Sequence, residues 1–379
     1  MRGASLLVCI AVSASSCGGC GQVEPTPPSL DTLSTATWAT FTKVPEAHYT
    51  GQEFPGATAR IASDPCVAKE GDRFRMVYTC FTSADSGGLC SATSEDGRTW
   101  TRVPSIVDGV EGVIADSRRG QWDENIETCA LLRGADGSFE LFYAGYPNLN
   151  LLGTRTPAAL GRMTSTDGVT FTRTPDDGPI LAPIPGDYDG DDLFSAVAVI
   201  DGDVTRFVYA AWCVPGYNDG RDCIHAPAIQ IGGATRDANG TFTREEAPVL
   251  QPRADVASMQ WGVAEPELVQ GPNGAWYLFF TGGLGDDEQR VVGVARSDSP
   301  FGPWEIAPEP ILAPGEEPYE ACGNLAPSVI IDGDIVRIWY ITLDDCGGAC
   351  PSCNLAACDC QQQSFTTGYA EAPWPLVQP

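Results

Sequence analysis

Five times along this chain an apolar strand runs through a tight turn into an aromatic-rich strand: PCVAKEGDRFRMVYT, CALLRGADGSFELFYAG, AVAVIDGDVTRFVYAA, ELVQGPNGAWYLFFTGG and PSVIIDGDIVRIWYIT. Alternating apolar residues and Asp-Gly or Asn-Gly turns are the marks of hairpins. The aromatics that anchor these hairpins, Tyr78, Tyr143, Tyr209, Phe280 and Tyr340, stand 60 to 71 residues apart. A small-residue strand and a polar, aromatic-bearing segment follow the first four hairpins, as in CSATSEDGRTWTRVP and GRMTSTDGVTFTRTP. Nothing in the chain has sustained helical periodicity. Four antiparallel strands repeated in tandem are the blades of a propeller, whose radial closure protects strand edges. The expected fold is therefore all-β, a propeller of five four-stranded blades. The segment WATFTKVP, from Trp38 to Pro45, resembles the fourth strands but has no hairpin before it. It is expected to complete the last blade and close the ring, in competition with the C-terminal PWPLVQP for the same edge.

The first residues read as an export signal: Arg2, a short apolar core LLVCIAV, and then ASSC ending at Cys17. That apolar run is too short to span a bilayer. Small residues directly before a cysteine resemble the lipobox of bacterial lipoproteins, which puts lipidation at Cys17 rather than Cys20. The expected organisation is a signal peptide over 1–16, a flexible tether over 17–35 and the propeller over 36–379. The mature chain is then exported, held to an outer membrane or cell surface through its lipid alone, and acts as a monomer.

With 50 acidic against 22 basic residues the net charge is −28, which opposes phosphate backbones and acidic lipid surfaces. Nucleic acid is excluded as a natural partner. In an oxidising compartment the 15 cysteines read mainly as disulfides. Cys80 with Cys90 and Cys213 with Cys223 each flank a short turn and are the expected local bridges. The cluster from Cys346 to Cys360 has spacings that zinc could use, but with no histidine nearby disulfides are preferred. His48 and His225 are the two histidines of the chain, too few for a His-rich metal centre and poor support for a Ser-His-Asp triad.

Candidate chemistry emerges from the register of the repeats. Counting back fourteen residues from the anchor aromatic, or fifteen where the turn is longer, gives Asp64, Thr128, Ser195, Glu265 and Ala326. First strands line a propeller's channel, so these five positions should ring one mouth of it. Asp64 and Glu265, each followed by proline, fall on non-adjacent blades and face each other. Alone, Asp64 reads as a turn-capping residue. Paired with Glu265 it reads as half of a sugar-cleaving constellation, one carboxylate serving as base or nucleophile and the other as acid. Glu267 is the rival acid, and Asp192, three residues before Ser195, is a third carboxylate within reach. Trp122, Asp123, Glu127, Trp261 and Asn324 are candidate substrate contacts, the tryptophans for stacking on sugar faces. Ordinary loop packing is the competing reading for both tryptophans. Asp187, Asp189, Asp191 and Asp192 in GDYDGDDLF form an oxygen-rich loop that calcium could use, but Ala198 stands where an EF-hand needs its closing glutamate. A solvated acidic turn is preferred, and no cofactor or metal is expected.

SDPCVAKEGDRFRMVYT and AEPELVQGPNGAWYLFFTGG resemble the first-blade Asp and fourth-blade Glu segments of five-bladed propeller glycosidases of families 43 and 32. That resemblance implies hydrolysis of an oligo- or polysaccharide, with Asp64 as base or nucleophile and Glu265 as acid, and the net negative charge makes a neutral glycan the expected substrate. It also places a third-blade acid on Ser195, with Asp192 as its displaced substitute. The alternative is a propeller that binds glycans or surface partners without turnover. A third is a structural surface lipoprotein. Turns such as SEDGRTW resemble the Asp-box of sialidases, but without the residue that motif carries between Asp and Gly.

Overall fold

In the computed structural model, which describes residues 31–53, 60–83, 86–107, 110–147, 157–213, 228–284, 289–345 and 364–377, the five repeats form five antiparallel sheets. Blade one comprises Ser63–Glu70, Arg73–Ser83, Ser86–Ser94 and Thr101–Arg102. Blade two comprises Asn125–Arg133, Phe139–Tyr146, Ala159–Ser165 and Thr172–Arg173. Blade three is built from Asp192–Asp201, Val204–Cys213, Ala228–Arg236 and Phe242–Arg244. Blade four is built from Ala264–Gln270, Trp276–Gly282, Val291–Ser297 and Glu305–Ile306. Gly323–Asp332, Ile335–Leu343 and Phe365–Pro373 make up most of blade five. First strands of successive blades touch in a closed ring, blade five against blade one.

The anchor aromatics explain the repeat. Each is fully buried on its second strand, and in blades two to five its cross-strand partner on the third strand is glycine. A Cβ at Gly161 would come within 2.3 Å of the Tyr143 ring, and one at Gly293 within 2.4 Å of the Phe280 ring. At these positions glycine leaves the room that the ring takes against the neighbouring strand. In blade one that place is taken by Cys90, opposite Tyr78. Blades then pack face to face through apolar clusters such as Phe142, Phe207 and Tyr209 between blades two and three.

A second device recurs twenty residues before three anchors. Tyr143 donates its hydroxyl to Asp123 at 2.8 Å and Tyr209 donates to Asp189 at 3.0 Å, while Tyr340 hydrogen-bonds Glu320. Each of these acids is buried and meets a cation from the fourth strand of its own blade: Arg173 at 2.6 Å from Asp123, Arg244 on Asp189, and Lys43 at 2.7 Å from Glu320. Buried carboxylates of this kind persist because they are both paired and hydrogen-bonded. Lys43 belongs to the N-terminal FTK, the counterpart of FTR in blades two and three. The triad therefore shows chemically that the N-terminal segment is the missing fourth strand.

Backbone pairing agrees. Thr42–Lys43 lies antiparallel to Phe365–Pro373, with Thr42 opposite Glu371. The C-terminal segment does not displace it; Ala39 N–H donates to the Leu376 carbonyl at 2.7 Å and Trp38 bridges to Val377. Attachment to the ring begins ahead of the boundary expected at Ala36, because Thr32–Leu33 already pairs in parallel with Glu305–Ile306 and Asp31 accepts the Trp304 amide at 2.7 Å. Two-residue backbone pairing leaves no trace in composition, so the sequence alone extends the tether too far.

Cys80 and Cys90 are bonded as expected, and Cys213 is in a disulfide. Cys223, His225, the cluster from Cys346 to Cys360, and residues 1–30 with Cys17 and Cys20 lie outside the described residues. A bridge not expected from sequence joins Cys66 to Cys129, stapling the first strands of blades one and two across 63 residues. Closing a loop of that length is worth at most about 4 kcal/mol through the unfolded chain.

Replacing Lys43 by methionine should strand Glu320, whose side chain is 1% exposed while that of Lys43 is 24% exposed. The expected loss lies at the lower end of roughly 3–5 kcal/mol, because water reaches the lysine head. Urea unfolding measures it, and a Lys43→Met protein as stable as the parent would exclude the triad as a closure device.

Candidate active site

Each first strand carries a bulge at the position singled out by counting back from the anchor. Pairing with the second strand skips between Ser63 and Cys66, Glu127 and Ala130, Phe194 and Val197, Ala264 and Glu267, and Leu325 and Ser328. Within these skips Asp64, Thr128, Ser195, Glu265 and Ala326 have φ values of 51, 52, 46, 47 and 45°. Apart from glycines, they are the residues with positive φ among those described. A side chain in the left-handed region costs about 1–3 kcal/mol and persists only where its surroundings over-determine it. Because all five blades share the strain, the backbone alone marks architecture. Two of the five positions, Asp64 and Glu265, carry acids.

All five residues line one channel cavity of about 70 Å³, together with Cys66, Glu267 and Ser328, each two residues further along its strand. Side chains join neighbouring blades here. The Thr128 amide donates to Thr79 Oγ1 at 3.0 Å, and the Ser195 amide to Thr128 Oγ1 at 3.2 Å. Ala326 N–H reaches both Glu265 Oε2 at 3.1 Å and Thr281 Oγ1 at 2.9 Å. Further along the first strands, Val67 N–H donates to Ser328 Oγ at 2.9 Å and Val329 N–H to Glu267 Oε1 at 3.4 Å.

The electrostatics separate the carboxyls. Burial raises Asp64 above the usual carboxylate range, opposed by hydrogen bonds from Thr79 and Ser63. Glu265 is pushed up to about 7, first by burial and then by the Asp64 charge facing it, against hydrogen bonds from Thr281 and the Ala326 amide. Two facing carboxyls in one cavity thus favour a state in which Asp64 is ionised and Glu265 holds a proton. Burial alone carries Glu267 up to about 8.

Other candidates from the sequence sit elsewhere. Asp192 is fully buried, does not line the cavity, and accepts the Ala158 amide of blade two at 2.6 Å. Asp123 serves the triad of blade two, with Arg118 adding a second ion pair at 2.7 Å. Asn324 bridges Lys43 and Glu320 at 2.8 and 2.9 Å. Trp122 stacks on Tyr143 with ring centroids 6.1 Å apart, and Glu127 accepts the Tyr146 hydroxyl at 3.2 Å. Trp261 is 59% exposed, just before the strand that carries Glu265. The acidic loop is not the solvated turn expected: Asp189, Asp191 and Asp192 are at most 1% exposed, and Asp189 is spent on Tyr209 and Arg244. Among the described residues no group of three or more His, Cys, Asp or Glu is placed to hold a metal. His48 stacks on Tyr319 at 3.8 Å, and burial lowers it to about 4, so it is neutral at ordinary pH.

Sequence reasoning missed Thr79 and Thr281. Both directly follow an anchor aromatic, where the other blades have Ala144, Ala210 and Ile341. That signal was readable.

No protein-family profile matches the sequence, and no curated protein matches it. Solved structures do match in fold. A thermostable family-43 glycoside hydrolase aligns with TM-score 0.59 at 17% identity, covering 87% of this chain and 97% of its own. An α-L-arabinofuranosidase from Podospora anserina, solved with cellotriose, aligns with TM-score 0.56 at 12% identity over 90% of this chain and 98% of its own. The catalytic domain of a Coprinopsis cinerea α-L-arabinofuranosidase of family 62 aligns with TM-score 0.57 at 10% identity over the same shares. This chain therefore has the five-bladed propeller fold found in these glycoside hydrolases.

Glu267 makes a prediction independent of activity. Its folded pKa of about 8 exceeds the 4.5 of an unfolded glutamate. The stability it supports is fully present below pH 4.5 and lost as pH rises to about 8. Over that window Glu267 should contribute a fall of about 1.4 kcal/mol per pH unit. Urea midpoints measured from pH 4.5 to 8 should flatten by that slope in Glu267→Gln; an unchanged slope would show that Glu267 ionises freely.

Proposed function

We propose that this protein is an exported, lipid-anchored glycoside hydrolase that cleaves a neutral glycan, with Asp64 as base or nucleophile and Glu265 as general acid. The observation that carries the reading is the placement of two carboxyls in equivalent left-handed bulges on non-adjacent blades, lining one cavity. Glycosidic cleavage needs one carboxyl to give a proton to the leaving oxygen while another, ionised, attacks the sugar or activates water. Glu265, at about 7, is suited to hold that proton near neutrality. Asp64, raised by burial against two hydrogen bonds, is suited to be the ionised member of the pair because it is its charge that raises Glu265. Trp261 offers an exposed aromatic face for the sugar. A net charge of −28 disfavours polyanionic substrates, so arabinan-, xylan- or fructan-like sugars fit better. The solved neighbours support a carbohydrate ligand, since one of them holds cellotriose.

A second reading, glycan binding without turnover, is favoured by Ser195 in the third-blade position, with Asp192 turned to the Ala158 amide. A panel of neutral glycans and aryl glycosides separates the two. The parent should cleave at least one substrate, losing activity as pH rises through about 7 and Glu265 gives up its proton. Glu265→Ala should cost about 10²- to 10⁴-fold, and Asp64→Ala at least as much. Binding without cleavage would establish the second reading. Cleavage that survives both substitutions would remove these two acids from the mechanism. Mass spectrometry of the mature N-terminus should find acylated Cys17, and an unmodified terminus would end the anchoring proposal.

A further inference from the structure

We infer that Thr281 and Thr79 are positioning residues, whose hydroxyls orient the Glu265 and Asp64 carboxyls and tie each to the backbone of the next blade. The inference rests on the catalytic reading of these two acids and goes beyond it, to what holds them. Thr79 lies opposite Ser63, and Thr281 opposite Ala264, each the residue just before a bulge acid. The same places opposite Glu127, Phe194 and Leu325 are Ala144, Ala210 and Ile341. Threonine thus occurs in the two blades that carry an acid and is absent from the three that do not. A threonine chosen only for strand propensity would show no such preference.

The hydrogen bonds give the coincidence a mechanism. A hydroxyl has one proton to donate and two lone pairs to accept with. At Thr281 the Ala326 amide occupies a lone pair at 2.9 Å, which leaves the proton for Glu265 Oε2 at 2.7 Å. At Thr79 the Thr128 amide does the same at 3.0 Å, and the hydroxyl serves Asp64. Both threonines are buried, at 1% and 6% exposure, so water does not compete for these bonds. Each acid is thereby referenced to the neighbouring blade, blade five for Glu265 and blade two for Asp64. A hydroxyl donating to a carboxylate favours its charged form, opposing burial. The threonines then limit how far each acid is raised. The other charged groups acting on Glu265 are Asp64 and Arg290.

The test replaces each hydroxyl with a methyl and reads the carboxyls directly. Carbon-13 side-chain titration by NMR should show the Glu265 midpoint moving up by about one pH unit in Thr281→Val, and the Asp64 midpoint moving up in Thr79→Val. On a substrate the parent cleaves, kcat should fall about tenfold in Thr281→Val with KM little changed, and the alkaline limb should follow the Glu265 midpoint. Thr281→Ser, which keeps the hydroxyl and differs by one methyl, should restore both midpoint and rate. An unmoved Glu265 midpoint in Thr281→Val, or a serine variant that behaves like valine, overturns the inference. If the midpoints move as stated but the parent cleaves no glycan, the catalytic reading falls while the positioning role stands. Circular dichroism separates misfolding from either outcome, and Thr281→Ala, which also lacks the hydroxyl, is read for the same Glu265 midpoint should valine fail to fold.

Discussion

The structure depends on a break in its own regularity. Innermost strands of a propeller cannot pair with one another through their backbones, so each blade must be joined to the next by other means. Here every first strand carries a left-handed bulge, and for Thr128, Ser195 and Ala326 a side chain of the preceding blade accepts the bulge amide. Buried amides must be satisfied, so ring closure places polar acceptors at the bulge. Most acceptors would serve. Thr128 does the work with a hydroxyl, whereas Glu265 does it with a carboxyl that holding the ring does not require.

Legibility followed the strength of the repeating signal. Aromatic anchors are large, buried and invariant in register, so blade number, strand order and all five bulge positions could be counted from Tyr78, Tyr143, Tyr209, Phe280 and Tyr340. Asp123, expected as a sugar contact from its place in a loop beside a tryptophan, is fully buried against Tyr143, Arg118 and Arg173. Its spacing from Tyr143, shared by Asp189 with Tyr209 and Glu320 with Tyr340, carries the structural answer. Blade four confirms the logic by omission: its anchor is Phe280, which has no hydroxyl, and Ile306 of its fourth strand carries no charge. The Cys66 to Cys129 bridge was not legible, since its partners are far apart in sequence and meet only when two first strands come side by side.

In a chain with a net charge of −28, an acid by itself says little about function. What separates the acids is how the structure treats them. Asp123, Asp189 and Glu320 are buried, and each is neutralised by a cation from a fourth strand. Asp64, Glu265 and Glu267 line the channel and form no salt bridge among the described residues, although the Arg290 charge opposes part of the rise at Glu265. Burying a carboxyl without a cation is costly, and the group responds by holding its proton. A protein built only for stability would place neutral residues there, as this one does with Thr128, Ser195 and Ala326 in the equivalent positions. Retaining acids at two of five interchangeable sites works against stability, and proton transfer is the chemistry that such a protonated acid, facing a charged one, can perform.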